Sequence, residues 1–200
     1  MTRIKICGIT NAEDARAAVR LGASALGIIG IESSPRYILP EMTPDIFREA
    51  KPFVPVFVLK RRADEDVGYE SGYVQFYEGV PDRHAHYLRV FRIKDGASLE
   101  QLVGYNESVA GVVLDAYHES ALGGTGKTFD WRLAVTAKGL LPSLPLILAG
   151  GLTPENVFDA VRAVRPHAVD VSSGVEAEPG RKDHDKLRRF IEAVREADRE

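Results

Sequence analysis

Two side chains in this sequence could move protons, and two glycine-rich turns could hold an anion. Cys7 is the chain's single thiol. As a thiolate it would serve as a nucleophile or a general base. An unperturbed thiol near pKa 8.5 is mostly protonated at neutral pH, so either role requires positive charge or donors nearby. The alternative for Cys7 is a small buried hydrophobe. Asp115 ends the apolar run Val112-Val113-Leu114 and enters a polar loop. Partly buried, it would keep a proton and act as a general acid; otherwise it caps a turn. Ala149-Gly150-Gly151 and Ser172-Ser173-Gly174 let backbone N–H groups approach a phosphate, and a short helix starting after Ser173 would add its dipole. Read alone, each is also an ordinary tight turn. Arg36, in Ser33-Ser34-Pro35-Arg36-Tyr37, offers a planar fork to a carboxylate or phosphate, or is simply solvated. Asp170 would orient amides or side chains beside it.

Other patterns exclude chemistry. Gly123-Gly124-Thr125-Gly126-Lys127-Thr128 lacks the P-loop spacing, because Ala121 stands five positions before Gly126. It is expected to be a mobile loop over the mouth of a site, with Lys127 able to reach an anion. His84, His86, His118, His167 and His184 show no metal-ligand spacing with carboxylates or with Cys7, so no metal is expected. One cysteine builds neither a disulfide framework nor a cysteine-rich zinc site, and a reducing, cytoplasmic setting is expected. A formal charge of -3 and a pI of about 6.0 lack the footprint of a nucleic-acid binder. No run is long and apolar enough for a membrane span, and Met1-Thr2-Arg3 enters a strand-like run at once, so no signal peptide is expected. With 44% hydrophobic and 28% charged residues over 200 positions, residues 1–200 read as one globular domain.

The elements that must position these groups alternate along the chain. Strand candidates are Ile4–Cys7, Ala25–Ile29, Val54–Leu59, Tyr73–Phe76, Tyr87–Ile93, Gly111–Leu114, Leu144–Leu148 and Ala168–Val171. Several are continuous apolar runs, as parallel strands covered on both faces require. Thr10-Asn11-Ala12-Glu13 has capping-box spacing for a helix that stops at Gly22. Thr153-Pro154 supplies an N-cap and a first-turn proline, with Val157, Ala160, Val161 and Val164 at helical spacing until Pro166. Leu187, Phe190, Ile191 and Val194 form one stripe of a last helix. Between Lys60 and His86, charges and glycines leave room only for short or irregular helices. Eight strands alternating with helices predict an α/β protein, a single-domain (β/α)8 TIM barrel, with a doubly wound open sheet as the alternative. In such a barrel Cys7, Asp115 and the glycine turns share the C-terminal rim.

The segments Lys5-Ile6-Cys7-Gly8-Ile9-Thr10, Ser34-Pro35-Arg36-Tyr37, Leu114-Asp115, Gly123–Trp131, Leu148–Leu152 and Val169–Glu176 resemble the phosphoribosylanthranilate isomerase family, in order along the chain. The resemblance implies a cofactor-free Amadori rearrangement in tryptophan biosynthesis. Asp115 would be the acid that opens the ribose ring and Cys7 the base at C2. It also implies Arg36 for the anthranilate carboxylate, Gly124 and Asp170 as further substrate contacts, and Gly150, Gly151, Ser172, Ser173 and Gly174 for the phosphate. The expected partner is a small phosphorylated substrate, the chain acting as a monomer or homodimer. The middle departs from the family. Val74-Gln75-Phe76-Tyr77-Glu78-Gly79 stands where members usually show Gln-Leu-His-Gly, and Val56-Phe57-Val58-Leu59-Lys60 lacks the usual strand-three asparagine. Two other readings remain: a related sugar-phosphate isomerase of histidine synthesis, for which paired aspartates are usual, and a barrel that binds a phosphorylated sugar with weakened catalysis.

Overall fold

The structure, a computed structural model, describes residues 1–69, 71–81, 86–117 and 128–200. Its centre is a closed barrel of parallel strands: β1 (Arg3–Ile6), β2 (Ala25–Ile29), β3 (Val56–Arg62), β4 (Tyr73–Glu78), β5 (His86–Ile93), β6 (Gly111–Ala116), β7 (Leu146–Leu148) and β8 (Ala168–Val171). Each strand pairs with the next, and β8 pairs back onto β1. That last pairing removes the two edges an open doubly wound sheet would keep.

Strand limits shift where backbone donors decide them. β3 and β7 begin after Pro55 and Pro145, later than their apolar runs suggest, because proline has no N–H for the ladder. β6 runs on to Ala116, so Asp115 lies inside the strand rather than in the loop after it. Cys7 is the first residue beyond β1.

Successive strand residues point to opposite faces. One set, including Ile29, Leu59, Tyr77, Val90, Val113 and Ile147, fills the barrel interior. The alternate set, including Ile4, Ile6, Leu26, Ile28, Val112 and Leu114, packs against the surrounding helices. Those helices are α1 (Ala12–Leu21), α2 (Pro44–Ala50), α3 (Trp131–Leu140), α4 (Val157–Val164) and α5 (His184–Ala197). In α1 the cap is Asn11 rather than Thr10: its side-chain oxygen accepts the Asp14 N–H at 2.8 Å, and Gly22 closes the helix at φ 104°. α4 starts at Val157, later than Thr153-Pro154 suggests, because Asn156 Oδ1 accepts the Thr153 N–H at 2.8 Å and holds those residues in a turn. Its stripe of Val157, Ala160, Val161 and Val164 is buried, as is that of Leu187, Phe190, Ile191 and Val194 in α5. Among the described residues no helix joins β3 to β4 or β4 to β5. A small hairpin, β9 (Glu176–Glu178) with β10 (Arg181–Lys182), follows β8 and has no counterpart in the sequence reading. No helix among the described residues is long and apolar enough to cross a membrane.

The last helix is tied to the first strand's approach. The Asp198 carboxylate accepts the Thr2 N–H at 2.8 Å and the Thr2 hydroxyl at 2.7 Å. A charged acceptor with two donors contributes about 2 kcal/mol. Asp198→Ala should therefore lower the urea midpoint by that equivalent at unchanged slope; an unmoved midpoint would show that the clasp contributes nothing.

Candidate active site

Inward alternation at the strand ends gathers the reactive groups into one cavity of about 390 Å³. Cys7, Arg36, Asp115, Gly150, Gly151, Asp170, Ser172, Ser173 and Gly174 all line it. Residues far apart in the chain meet because β1, β6, β7 and β8 end at the same rim. Gly124 and Lys127 lie outside the described residues.

The floor is ionic. Lys5 and Cys7 sit two residues apart and face the same way, and Lys5 Nζ donates to Asp170 Oδ2 at 2.8 Å with both side chains buried. Burial pulls the Lys5 ammonium down, but Asp170 and Cys7 outweigh it and hold it above its ordinary value. Burial pushes the Cys7 thiol up, and Lys5 opposes that rise. Asp115 is pushed up to about 7, first by burial and then by the Asp170 carboxylate. It is therefore a carboxyl group that carries a proton for a large part of the time at neutral pH.

Arg36 is not solvated. Its Nε and Nη2 donate to Glu176 at 2.8 and 2.6 Å, and Lys182 Nζ donates to the same carboxylate at 2.8 Å. The β9–β10 hairpin thus holds Arg36 in place from behind, with Nη1 outside that fork. Lys182 Nζ also reaches the Ser172 carbonyl at 3.2 Å.

The glycine turns are built by close approach. Gly150 has φ 85°, and a Cβ there would lie 2.3 Å from the Ala116 nitrogen; one on Gly174 would lie 1.9 Å from the Leu152 carbonyl oxygen. Among the described residues the amides of Gly151, Ser173 and Gly174 donate to no protein acceptor. Three buried side-chain oxygens lining the cavity, Gln75 Oε1, Asp170 Oδ1 and Ser172 Oγ, also lack a partner among them. Leaving buried polar atoms unpaired costs about 1–3 kcal/mol each, which a hydroxylated, phosphorylated ligand would relieve.

Lys5, Arg61, Gln75, Tyr77 and Arg92 were not singled out as site residues from sequence. All but Lys5 line the cavity, and period-two counting back from each strand end would have found them. Tyr77 projects into the interior from β4, while Phe76 packs outward with Val74 and Tyr87. Burial, then the charges of Asp115 and Cys7, hold the Tyr77 phenol well above its ordinary value, so it is a neutral donor. Arg92 pairs in register with Asp115 across β5 and β6, and its guanidinium lies 4.6 Å from the Tyr117 ring centre. Among the described residues no group of three or more His, Cys, Asp or Glu side chains could hold a metal ion.

The family described as N-(5'-phosphoribosyl)anthranilate (PRA) isomerase matches residues 4–193. The chain belongs to this family. An N-(5'-phosphoribosyl)anthranilate isomerase of Geobacter sp. (strain M21) is 46% identical over 207 residues, covering 96% of this chain and 97% of the relative. The crystal structure of phosphoribosyl anthranilate isomerase from Thermotoga maritima superposes with a TM-score of 0.85 at 36% identity, covering 98% of this chain and all of that one. A second solved phosphoribosyl anthranilate isomerase, in complex with reduced 1-(o-carboxyphenylamino)-1-deoxyribulose 5-phosphate, gives 0.82 at 34% identity with 98% of this chain covered and 100% of the other. The histidine absent from β4 does not remove the chain from the phosphoribosylanthranilate isomerases; a tyrosine faces the cavity from that strand instead.

The raised Asp115 has a consequence for stability. Between about pH 4 and 7 the folded isomerase holds a proton that the unfolded chain has released, so stability falls as pH rises through that window. Asp115→Asn removes the titration. It should stabilise the fold at pH 8 by a few kcal/mol, with the gain vanishing near pH 4. Urea denaturation at both pH values checks this, and an equal effect at the two would refute the buried-acid assignment.

Proposed function

We propose that this cavity converts N-(5'-phosphoribosyl)anthranilate to 1-(2-carboxyphenylamino)-1-deoxyribulose 5-phosphate, with Asp115 as the general acid and Cys7 as the general base. The observation that carries the reading is one cavity holding a carboxyl protonated near neutrality, a thiol beside a buried ammonium, and unengaged amides on two glycine turns.

Asp115 gives its proton to the ribose ring oxygen as the C1–O bond breaks, leaving a cationic imine between C1 and the anthranilate nitrogen. That new positive charge lies near Cys7 and favours its thiolate, adding to Lys5 against the effect of burial. The thiolate then takes the proton from C2. The C2–H electron pair forms the C1=C2 bond, and the imine pair returns to nitrogen. The resulting enolamine tautomerises, C1 gaining a proton as the C2 hydroxyl loses one and becomes a carbonyl; exchange with solvent then takes the proton from Cys7 and returns one to Asp115, so atoms and charge balance without a cofactor. Acid and base differ through environment rather than residue class, which suits opposite proton transfers at one pH.

The remaining contacts hold the substrate. The phosphate is assigned to Gly150, Gly151, Ser172, Ser173 and Gly174. Anchoring this remote group positions a flexible sugar and supplies several kcal/mol toward the transition state. Arg36 is assigned to the anthranilate carboxylate through the Nη1 side of its fork, and Asp170 Oδ1 to the substrate hydroxyls or amine. The Tyr77 phenol stands as a neutral donor on the β4 side. One Thermotoga maritima relative is named as a dimeric isomerase, and the chain is read as acting as a monomer or such a homodimer.

Cys7→Ala and Asp115→Asn should each lower kcat by about 10²–10⁴-fold, the range for losing a general acid or base. Affinity for the reduced product analogue should change less than tenfold. Turnover within a few-fold of wild type in either variant would overturn the assigned roles, and tight binding with no isomerisation by the wild type would make the chain a binder.

A further inference from the structure

A buried thiolate at Cys7 needs a fixed cation beside it, and Lys5 is the group whose placement supplies one. Lys5 is sealed inside the barrel, and its Nζ makes a 2.8 Å hydrogen bond to Asp170 Oδ2. A lysine in the barrel interior is costly to desolvate, and a hydrophobic residue at this strand position would pack without that penalty. Its other neighbour is the sulfur. A Cβ placed on Gly27 of β2 would lie 2.8 Å from Cys7 Sγ and 3.0 Å from Lys5 Nζ, so both atoms converge on the space this glycine leaves open.

We propose that Lys5 is a positioning residue for the isomerisation: its ammonium, shared between Asp170 and Cys7, holds the thiolate in place and aims Asp170 Oδ1 into the cavity. This deepens the reading of Cys7 as base and rests on it. The other charged and titratable groups lining the cavity or acting on the sulfur among the described residues are Asp170 on β8, Asp115 on β6, Tyr77 on β4, Arg61 on β3, Arg92 on β5, Lys182 on β10 and Arg36 after β2. Of the cations, Arg36 and Lys182 are bound to Glu176, and Arg92 stands beside Asp115 across the barrel. Lys5 approaches the sulfur from two residues away and, with Lys182 as a lesser contributor, favours its charged form. Asp170 works against it, drawing the ammonium toward the carboxylate.

That arrangement predicts shifts of opposite sign. Cys7 is the chain's single cysteine, so the pH dependence of iodoacetamide alkylation of the folded, substrate-free protein reports its thiolate fraction alone. Lys5→Met should move the alkylation midpoint up by at least one pH unit, a tenfold loss of rate at fixed pH below it. Asp170→Asn, which frees the ammonium for the sulfur, should move it down by a comparable amount. Midpoints that stay in place, or move in the same direction, would overturn the proposal. If Lys5→Met does not fold, Asp170→Asn decides it: a downward shift supports, and an unchanged or raised midpoint refutes. The readout involves no turnover, so it is separate from the test of Cys7 as the base.

Discussion

The barrel closes where β8 meets β1, and the pairing register there sets Lys5 against Asp170. Their buried ion pair is formed across the seam that turns a sheet into a barrel. Such a pair adds little net stability, because the desolvation of both ions offsets most of their attraction; removing one partner would strand a charge at a cost of about 3–5 kcal/mol. Its value lies in what it orients. One end of the pair lies beside the sulfur, and at the other Asp170, which lines the cavity, keeps a buried carboxylate oxygen with no partner among the described residues. The acid depends on it as well, since the Asp170 charge helps to hold a proton on Asp115.

A second buried charge group balances the first. Glu176 sits between Arg36 and Lys182, two basic side chains on one carboxylate behind the Ser172 turn; burial draws the Lys182 ammonium below its ordinary value, and Glu176 opposes that fall. Burial pushes the Glu176 carboxyl up, but its two cations more than compensate and keep it ionised. The two sides of the cavity therefore differ: the Ser172 turn lies against the basic pair, and the opposite side presents a protonated carboxyl group and the ion-paired Asp170. A phosphate and a cationic imine need those two environments at opposite ends of one molecule.

Much of this was legible in the residues, and the exceptions share a cause. The apolar runs gave the strands within a few residues, and Cys7, Asp115 and the glycine turns are local signals: the single thiol, a carboxyl and paired small residues at the ends of such runs. Lys5, Tyr77 and Arg92 carry no local signal, because a charged or aromatic residue inside a strand becomes meaningful only when the barrel decides which face is interior. Arg36 illustrates the limit from the other side. As a loop residue it has no visible partner, and its fork to Glu176 spans 140 positions and requires the unforeseen β9–β10 hairpin. The cap of α1 and the start of α4 differ for a smaller reason: the Asn11 oxygen caps α1, and the Asn156 oxygen holds Thr153 in a turn before Val157.

The proposed isomerisation requires a thiol and a carboxyl flanking the same sugar carbons while the phosphate is held remotely. A crystal structure of this chain with reduced 1-(o-carboxyphenylamino)-1-deoxyribulose 5-phosphate tests that most directly. It should show Cys7 Sγ within contact of C2, the Asp115 carboxyl on the opposite side of the C1–C2 bond, and the phosphate on the amides of Gly151, Ser173 and Gly174. A ligand seated with its C1 and C2 atoms beyond reach of either side chain, or with its phosphate elsewhere, would contradict it.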